Sequence, residues 1–298
     1  MTYAAPQLAA LVAVCDTGTF EAAARALHVT PSAVSQRVRA LESEVGQVLV
    51  RRATPCTPTD AGAVLVRLGR AQALLAAEAR AELGLDPEDA DGAAGPRLDL
   101  GVAVNADSLA TWFREVLAVV AQWPGVALGL HVEDQAWSHD LLREGRVLGA
   151  VTSDPVAVQG CRVEPLGTLR YRPAAAPALV GPGEAARPDW SGLPMVVFND
   201  KDALQDQWLA RRGAAPPRVV HRVPTSADFV AAIEAGLGWG MVPEPQLVPA
   251  LRAGALVALG GEEHLDVALH WQRWRLGSEV LDRLSEAVVG AARRQLRA

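Results

Sequence analysis

Four polar side chains recur at helical spacing near the start of the chain. They follow one another at intervals of three, one and three residues, which places them on one stripe of a helix. The stripe contains Ser32, Ser35, Gln36 and Arg39. Glutamine can pair with adenine through two hydrogen bonds, arginine can pair with guanine or phosphate, and serine can contact either. The stripe is typical of a helix that reads DNA bases, although any amphipathic helix also has a polar face.

The neighbouring residues predict a helix-turn-helix that would present this stripe. Thr30 offers an N-cap hydroxyl, and Pro31 occupies the first helical position, where a missing N–H removes no hydrogen bond. The opposite stripe of the same helix is apolar and can pack on a short Ala-rich helix at 20–27. That apolar stripe contains Val34, Val38 and Leu41. We therefore expect two packed helices, with the second one turned towards DNA.

A basic segment after the helix-turn-helix has the features of a wing. The run VLVRR at 48–52 alternates like a strand, and the loop after it, at 53–59, contains two prolines. Arginines and threonines in this segment can contact the phosphate backbone. The predicted DNA-binding residues are Thr30, Pro31, Ser32, Ser35, Gln36, Arg39, Arg51, Arg52, Thr57 and Thr59.

A second long helix at 60–84 carries a mostly apolar seam. The members of the seam alternate at steps of four and three residues, as in helices that pair with another helix. The seam contains Ala61, Leu65, Leu68, Gln72, Leu75, Ala79 and Glu82. Two interpretations stay open, because the helix can pair with a second copy of the chain or pack on its own domain.

The remainder of the chain has a different pattern. The segment 85–97 is rich in Gly, Pro and Asp and lacks apolar periodicity, so we interpret it as a hinge. From residue 98 onward, strands and helices alternate in two β-α-β blocks, which predicts a mostly parallel sheet covered by helices. The last strand at 266–274 and the last helix at 277–297 are expected to return to the first block.

The charge of the chain is unevenly distributed. A net charge of −6 and a pI of about 5.6 argue against a nucleic-acid binder when the chain is taken whole. Residues 1–75, however, carry +2 and the remaining residues −8. The sequence shows no secretory signal and no apolar run of roughly 18 residues, and its three cysteines lie far apart. These features predict a cytoplasmic protein without a metal site.

The predicted helix-turn-helix resembles that of the LysR-type transcriptional regulators. The resemblance is carried at 20–52 by FEAAARALHVTPSAVSQRVRALESEVGQVLVRR. Motifs spread over 98–274 are similar to the ArgP/LysG (IciA-like) branch, whose members sense basic amino acids and control lysine or arginine export. These motifs are LGVAVNADSLATWF, LHVEDQ, REGRVLGAVTS, GWGMVPEPQ and LHWQRW.

The resemblance implies three structural parts. They are an N-terminal winged helix-turn-helix that is mostly α, a long dimerisation helix, and an α/β effector domain of two subdomains like those of periplasmic binding proteins. The implied boundaries are 1–59 for the DNA-binding domain, 60–84 for the dimerisation helix, 85–97 for the hinge, 98–168 with 270–298 for effector subdomain I, and 169–269 for effector subdomain II.

The resemblance also implies an amino-acid effector in a cleft between the subdomains. Its carboxylate needs hydroxyls and free N–H groups, and its ammonium groups need carboxylates at the ends of strands. The candidates are Asn105, Asp107, Ser108, Glu133, Asp134, Thr152, Ser153, Asp154, Asp200, Thr225, Ser226 and Asp228. Glu133 and Asp134 are favoured for the distal cation of a basic amino acid, whereas Asp107 and Asp228 have the alternative role of helix caps.

We therefore expect a regulator that binds promoter DNA as a homodimer or homotetramer, responds to lysine or arginine, and uses no cofactor. RNA polymerase is a further candidate partner. The alternative is a general replication-origin or architectural DNA-binding protein without a small-molecule effector. An enzyme is not expected, because the sequence contains no GxSxG, HExxH, P-loop or GxGxxG motif.

Overall fold

The computed structural model describes residues 3–84, 98–132, 135–181, 183–200 and 202–298. The predicted hinge at 85–97 and the predicted effector acids Glu133 and Asp134 lie outside these residues. The helices are α1 Ala5–Thr17, α2 Phe20–Ala26, α3 Pro31–Val45, α4 Asp60–Glu82, α5 Ala106–Ala110, α6 Arg114–Val120, α7 Gln135–Arg143, α8 Leu204–Arg212, α9 Ser226–Glu234, α10 Glu244–Arg252 and α11 Glu279–Gln295.

The strands are β1 Val50–Arg51, β2 Thr57–Pro58, β3 Leu98–Val104, β4 Val126–Val132, β5 Gly149–Thr152, β6 Cys161–Ala175, β7 Met195–Val197, β8 Val220–Arg222, β9 Gly240–Pro243, β10 Val257–Ala258 and β11 Leu265–Trp274. In the part of the chain that the structure describes, no helix has the length and apolar character to cross a bilayer.

The winged helix-turn-helix is confirmed. Thr30 caps α3 by accepting a hydrogen bond from the Ala33 N–H, and Gly46 ends α3 with a φ of 73°. The helices bury one apolar core, whose members include Leu8, Leu11, Val34, Val38, Leu41, Leu65 and Val66. The caps fix where the recognition helix begins and ends, and the core fixes which of its faces is left for DNA.

The wing is a short antiparallel pair of β1 and β2. It is shorter than the strand predicted at 48–52, because the Leu49 N–H donates to the Glu42 carboxylate at 2.9 Å instead of to a strand. Gly62 in the first turn of α4 packs directly against the backbone of Leu49, just before β1. A Cβ at position 62 would lie 1.9 Å from the Leu49 carbonyl oxygen, so the close approach requires glycine.

The helix α4 leaves the DNA-binding module with an exposed apolar flank. Its first half packs on α1 through buried residues such as Leu65 and Val66. On another flank, Val64, Leu68 and Leu75 are 51%, 44% and 38% exposed. An apolar flank of this kind is available for another helix.

The effector domain contains one seven-stranded sheet and a separate parallel pair of β7 and β8. The strand order of the large sheet is β10-β6-β11-β5-β3-β4, with β9 paired to β6. The expected return of the last strand to the first block is confirmed, because β11 pairs with β5. The prediction of a mostly parallel sheet was wrong: β3 runs parallel to β4 and β5, whereas β11, β6, β9 and β10 pair antiparallel.

Two long strands connect the halves of the effector domain. The β6 and β11 ladder shifts register between Leu269 and His270, opposite Gly167, which has a φ of 118°. This irregularity lies within two residues of the implied boundaries at 168 and 270. The subdomain boundaries stay predictions, and the bulge is a physical reason for the two halves to meet there.

Two further elements differ from the sequence-based expectation. The β-α-β pattern predicts one helix between β3 and β4, but there are two, α5 and α6, because Thr111 leaves helical geometry and bonds back to the Asp107 carbonyl through its hydroxyl. The strand β6 was not predicted, since Pro165, Gly167 and Pro173 interrupt its alternation.

Candidate DNA-binding and effector sites

The recognition helix α3 presents the predicted polar stripe to solvent. Ser32, Gln36 and Arg39 are exposed, and Ser35 is partly buried. Thr30 has a structural task as well, because its hydroxyl accepts the Ala33 N–H and shares a 3.0 Å hydrogen bond with Ser32. The stripe therefore offers hydroxyl, amide and guanidinium groups on one surface, as base readout requires.

The wing arginine Arg52 is held in place by the helices next to it. Its Nη2 lies 3.7 Å from Glu42 Oε2, and its guanidinium lies 5.4 Å from the centre of the Phe20 ring. Arg51 and Thr57 are exposed beside it. These positions keep two guanidinium groups near the recognition helix, where phosphate contacts would be expected.

Thr59, which was predicted to contact DNA, is used inside the protein. Its hydroxyl donates to the Val48 carbonyl at 2.8 Å and accepts the Gly62 N–H at 3.1 Å. It therefore caps α4 and ties the wing to that helix. Thr59 therefore has a structural role, and its contact with DNA stays a prediction.

The predicted effector residues of the first block lie at one edge of the sheet. The parallel strands β3 and β5 end there; Asn105–Ser108 follow β3, and Thr152 is the last residue of β5, followed by Ser153 and Asp154. Asn105 caps α5 by accepting the Ser108 N–H at 2.8 Å. The Ser108 hydroxyl is fully buried and has no hydrogen-bond partner among the described residues, so a ligand there could satisfy it.

Asp107 joins the two blocks of the effector domain. Tyr171 on β6 donates its hydroxyl to Asp107 Oδ2, and Ser226 on α9 donates to Asp107 Oδ1, each at 2.8 Å. Burial raises the pKa of the Asp107 carboxyl, and these two hydrogen bonds oppose the rise. The pKa of Tyr171 is raised well above its ordinary value by burial and by the Asp107 charge, so its hydroxyl stays a donor.

A second carboxylate, Asp202, lies near this group and was not predicted. Its negative charge contributes to the raised pKa values of both Asp107 and Tyr171. Its oxygens accept the N–H groups of Phe198 and Leu204 at 2.9 and 3.2 Å, which holds it in place. Tyr171 also escaped prediction, since the segment around it shows no readable periodicity.

Two of the predicted acids and one predicted threonine have local structural partners instead. Asp200 is exposed and forms an ion pair with Arg222 at 2.5 Å. Asp228 completes the cap of α9, because Thr225 accepts its N–H at 3.3 Å and donates to its carboxylate at 2.5 Å. These contacts explain Asp200, Thr225 and Asp228 without a ligand.

Asp154 shapes the turn after β5. Its Oδ1 accepts the Val156 N–H at 2.8 Å, its backbone N–H donates to Thr152 Oγ1 at 3.1 Å, and its Oδ2 lies 3.6 Å from His139 Nδ1. Buried Gln272 ties the same turn to β11 by donating to the Asp154 carbonyl at 3.1 Å. Ser153, between Thr152 and Asp154, is partly buried at this edge.

The effector candidates therefore form two groups: some lie at the junction of the two blocks, and the others have local structural partners. Asp107 and Ser226 come together at the junction of the two blocks, with Tyr171 and Asp202 beside them and Ser108 next to Asp107 in sequence. Among the described residues, no cluster of three or more His, Cys, Asp or Glu side chains is arranged to hold a metal ion. A buried carboxylate such as Asp107 needs hydrogen bonds or a cation to offset the cost of its burial.

Two family models match most of the chain. Residues 6–63 match the bacterial regulatory helix-turn-helix proteins of the lysR family, and residues 93–293 match the LysR substrate binding domain. The chain is 48% identical over 293 residues to the lysine export transcriptional regulatory protein LysG of Corynebacterium efficiens, with 96% of this chain and 97% of that protein covered. It is 38% identical to the HTH-type transcriptional regulator ArgP of Pseudomonas aeruginosa, with 96% and 94% covered.

Solved structures show the same similarity. Full-length LysG from Corynebacterium glutamicum with bound effector Arg has a TM-score of 0.80 and 44% identity, and the similarity covers 99% of this chain and 100% of that one. The crystal structure of ArgP from Mycobacterium tuberculosis has a TM-score of 0.83 and 45% identity, with 98% of each chain covered.

Proposed function

The chain belongs to the LysR family of bacterial regulatory helix-turn-helix proteins, and on that premise we propose that it regulates transcription in response to arginine or lysine and controls the export of these amino acids. The observation that carries the proposal is Asp107, a buried carboxylate bonded to both blocks of the effector domain. The similarity to a lysine export regulator and to LysG with bound Arg supports it.

The electrostatics of the junction favour an ammonium group. Burial raises the pKa of Asp107 and the charge of Asp202 adds to the rise, so the two carboxylates repel each other. An α-ammonium between them would relieve this repulsion and stabilise both ionised forms. The unsatisfied Ser108 hydroxyl is suited to donate to the effector carboxylate. From their sequence position, Glu133 and Asp134 stay our candidates for the distal cation.

Binding at this junction would change how the two blocks are held together. Asp107 sits on α5 in the first block, whereas its partner Ser226 sits on α9 in the second. An ammonium group that binds Asp107 changes the strength of the hydrogen bond between Ser226 and Asp107. A ligand shifts a conformational equilibrium when it binds one arrangement better than the other, and a contact shared by both blocks provides that difference.

The DNA contacts follow from the exposed stripe and the wing. We assign base readout to Ser32, Ser35, Gln36 and Arg39, and phosphate contacts to Arg51, Arg52 and Thr57. Thr30 and Pro31 set the start of the recognition helix. A module with a net charge of +2 has few phosphate contacts to offer, so two or more modules are needed for useful affinity.

The exposed flank of α4 supplies the contact between modules. Val64, Leu68 and Leu75 form an apolar strip on a helix whose other side is packed. A second copy of the same helix buries this strip without requiring a further partner, which yields a homodimer, and dimers can associate into a homotetramer. An activating regulator of this kind would also contact RNA polymerase.

The experiment is a fluorescence anisotropy titration of the full-length protein on the promoter region next to its own gene. We expect specific binding whose affinity changes when L-arginine or L-lysine is added, together with measurable heat when either amino acid is titrated into the protein. L-Glutamate is the matched control, because it has the same backbone and an anionic side chain. Equal responses to glutamate and arginine would contradict the proposal, as would an absence of heat with both basic amino acids.

A further inference from the structure

A cavity of about 420 Å³ lies at one end of the large sheet, beside the start of α11. Its walls are Arg162 at the start of β6, Arg273 near the end of β11, Arg275 and Leu276 after β11, and Asp282 in the first turn of α11. We call it the arginine cavity. None of the described effector candidates is among these residues, and the volume lies within the range of about 300–1,000 Å³ that is usual for small-molecule sites.

The pairing of β6 with β11 places the three arginines on one face of the sheet. Arg273 lies directly opposite Arg162 in this antiparallel ladder. Arg275 lies two residues beyond Arg273, and its backbone N–H donates to the Gly160 carbonyl at 3.1 Å, which continues the ladder past the end of β11. Residues that are opposite each other or two apart share a face, and like charges directly opposite each other destabilise a sheet. The pairing is therefore unfavourable unless an anion lies between the arginines.

The positive charge of the arginine cavity is only partly neutralised. Arg273 is 8% exposed, and its guanidinium forms an ion pair with Asp282. The side chains of Arg162 and Arg275 are exposed, and neither has a hydrogen bond or an ion pair with any residue that the structure describes. Because arginine stays protonated in proteins, three guanidinium groups and one carboxylate leave two positive charges at this site.

A dianion matches two free guanidinium groups. A phosphate group carries about −1.5 to −2 charges at pH 7, and its oxygens fit the planar fork of guanidinium donors. A free basic amino acid is a poor ligand here, since the arginines repel the cation of its side chain. Leu276 supplies an apolar wall for a small carbon substituent on the phosphate. The ligand chemistry of the arginine cavity therefore differs from that of the junction around Asp107.

We propose that the arginine cavity binds a small molecule that carries a phosphate group, at a second ligand site outside the junction of the two blocks. Arg162 and Arg275 donate to the phosphate oxygens, and Arg273, which Asp282 holds in place, adds a third positive charge. The bound phosphate joins β6 to the segment after β11 and offsets the repulsion between the opposite arginines. This site requires no amino-acid effector.

The first test measures the binding of inorganic phosphate to the full-length protein by calorimetry and thermal melting, in buffers whose ionic strength is matched with chloride. The variants are Arg162→Gln and Arg275→Gln. Arg252→Gln is the matched control, because Arg252 is exposed at the end of α10 and its side chain also lacks a partner among the described residues. We expect phosphate to bind the wild type and the control and to raise their Tm. It should bind each of the other variants about tenfold more weakly, since each loses a charge-assisted hydrogen-bond donor.

Melting without phosphate separates a ligand site from a structural role of the arginines. In phosphate-free buffer, Arg162→Gln should have the same Tm as the wild type or a higher one, because it removes a like charge opposite Arg273 and no contact within the described protein. An absence of phosphate binding in the wild type overturns the site. Equal phosphate affinity in the wild type and Arg162→Gln also overturns it, as does an equal loss of affinity in Arg252→Gln.

Succinate and promoter DNA test the chemical class of the ligand. Succinate is a small dicarboxylate of the same charge and should bind the wild type more weakly than phosphate, so tighter succinate binding overturns the assignment to phosphate. In phosphate-free buffer, the wild type, Arg162→Gln and Arg252→Gln should bind the promoter with the same affinity in anisotropy titrations. Weaker promoter binding by Arg162→Gln alone would show that the cavity contacts the DNA backbone, which overturns the small-molecule site.

Discussion

The substitution Asp107→Asn separates effector binding from stability. Asparagine has the same shape and can still accept one hydrogen bond, from Tyr171 or from Ser226, while it removes the charge. In the folded wild type, burial raises the pKa of the Asp107 carboxyl, which disfavours its ionised form relative to a solvated carboxyl. The variant has no ionised form to bury. We therefore expect its free energy of unfolding at pH 7 to lie within about 1 kcal/mol of the wild type.

The pH dependence of this comparison has a definite sign. A carboxyl whose pKa is higher in the folded than in the unfolded state binds more protons when folded, at pH values between its ordinary pKa of 3.8 and the raised pKa. The stability that Asp107 contributes is fully present below pH 3.8 and is lost as the pH rises through the raised pKa. The wild type should therefore gain stability relative to Asp107→Asn as the pH falls, which chemical denaturation at several pH values can measure.

Effector binding should change much more than stability. Removing one partner of a buried, hydrogen-bonded charge pair costs about 2–5 kcal/mol, because the other charge is left unpaired. The lower limit corresponds to roughly 30-fold weaker arginine binding by calorimetry. Asp200→Asn is the matched control, since that acid forms an exposed ion pair with Arg222 and should leave the affinity nearly unchanged. Wild-type affinity in Asp107→Asn, or an equal loss in Asp200→Asn, would refute the assignment of the site.

Four further substitutions test the DNA-binding module and its pairing. Gln36→Ala should weaken binding to the specific promoter by about 1–3 kcal/mol and relax discrimination, whereas Arg52→Ala should weaken binding to all DNA and reduce the salt dependence; equal behaviour of the two in anisotropy titrations would refute this division. Leu68→Asp places a charge in the exposed strip of α4 and should shift the protein to monomers in analytical ultracentrifugation, and an unchanged mass would exclude the strip as the dimer contact. Gly62→Ala should destabilise the module by more than about 1 kcal/mol, measured by thermal melting, because its Cβ would lie 1.9 Å from the Leu49 carbonyl oxygen.

The helical module could be predicted from sequence because its signals are local. Thr30, Pro31 and the apolar stripe of α3 lie within a few residues of one another, and they specify the helix start and its buried face. The strand β6 carries no such local signal. Its alternation is broken by Pro165 and Pro173, and its stability comes from pairing with β11, which lies about 100 residues further along the chain. Such a non-local strand cannot be recognised by periodicity.

The candidate site shows the same limit at the level of side chains. The position of Asp107 after a strand was informative, but its partners Tyr171 and Ser226 are 64 and 119 residues away in sequence. Asp200 was predicted and Asp202 was not, although they lie two residues apart. Their roles differ because the turn directs Asp202 towards the N–H groups of Phe198 and Leu204 and leaves Asp200 in solvent. Turn geometry of this kind is set by the fold.

The two interpretations that the sequence of α4 left open concern different flanks: packing on its own chain is observed, and pairing with a second copy remains our proposal. Leu68 and Leu75 are exposed and available to a second copy, whereas Arg67 and Glu78 contact the effector domain of the same chain. At 100° per residue, adjacent positions such as 67 and 68 point in clearly different directions, so the two contacts do not compete for the same surface. Pairing of α4 with a second copy and its packing on the effector domain should therefore be separable. The Val280 amide donates to Glu78, so a variant at Leu68 that abolishes dimers should keep slow hydrogen exchange at this amide. Glu78→Ala should remain dimeric. Loss of both the dimer and the slow Val280 exchange in either variant would show that α4 acts as a single interface.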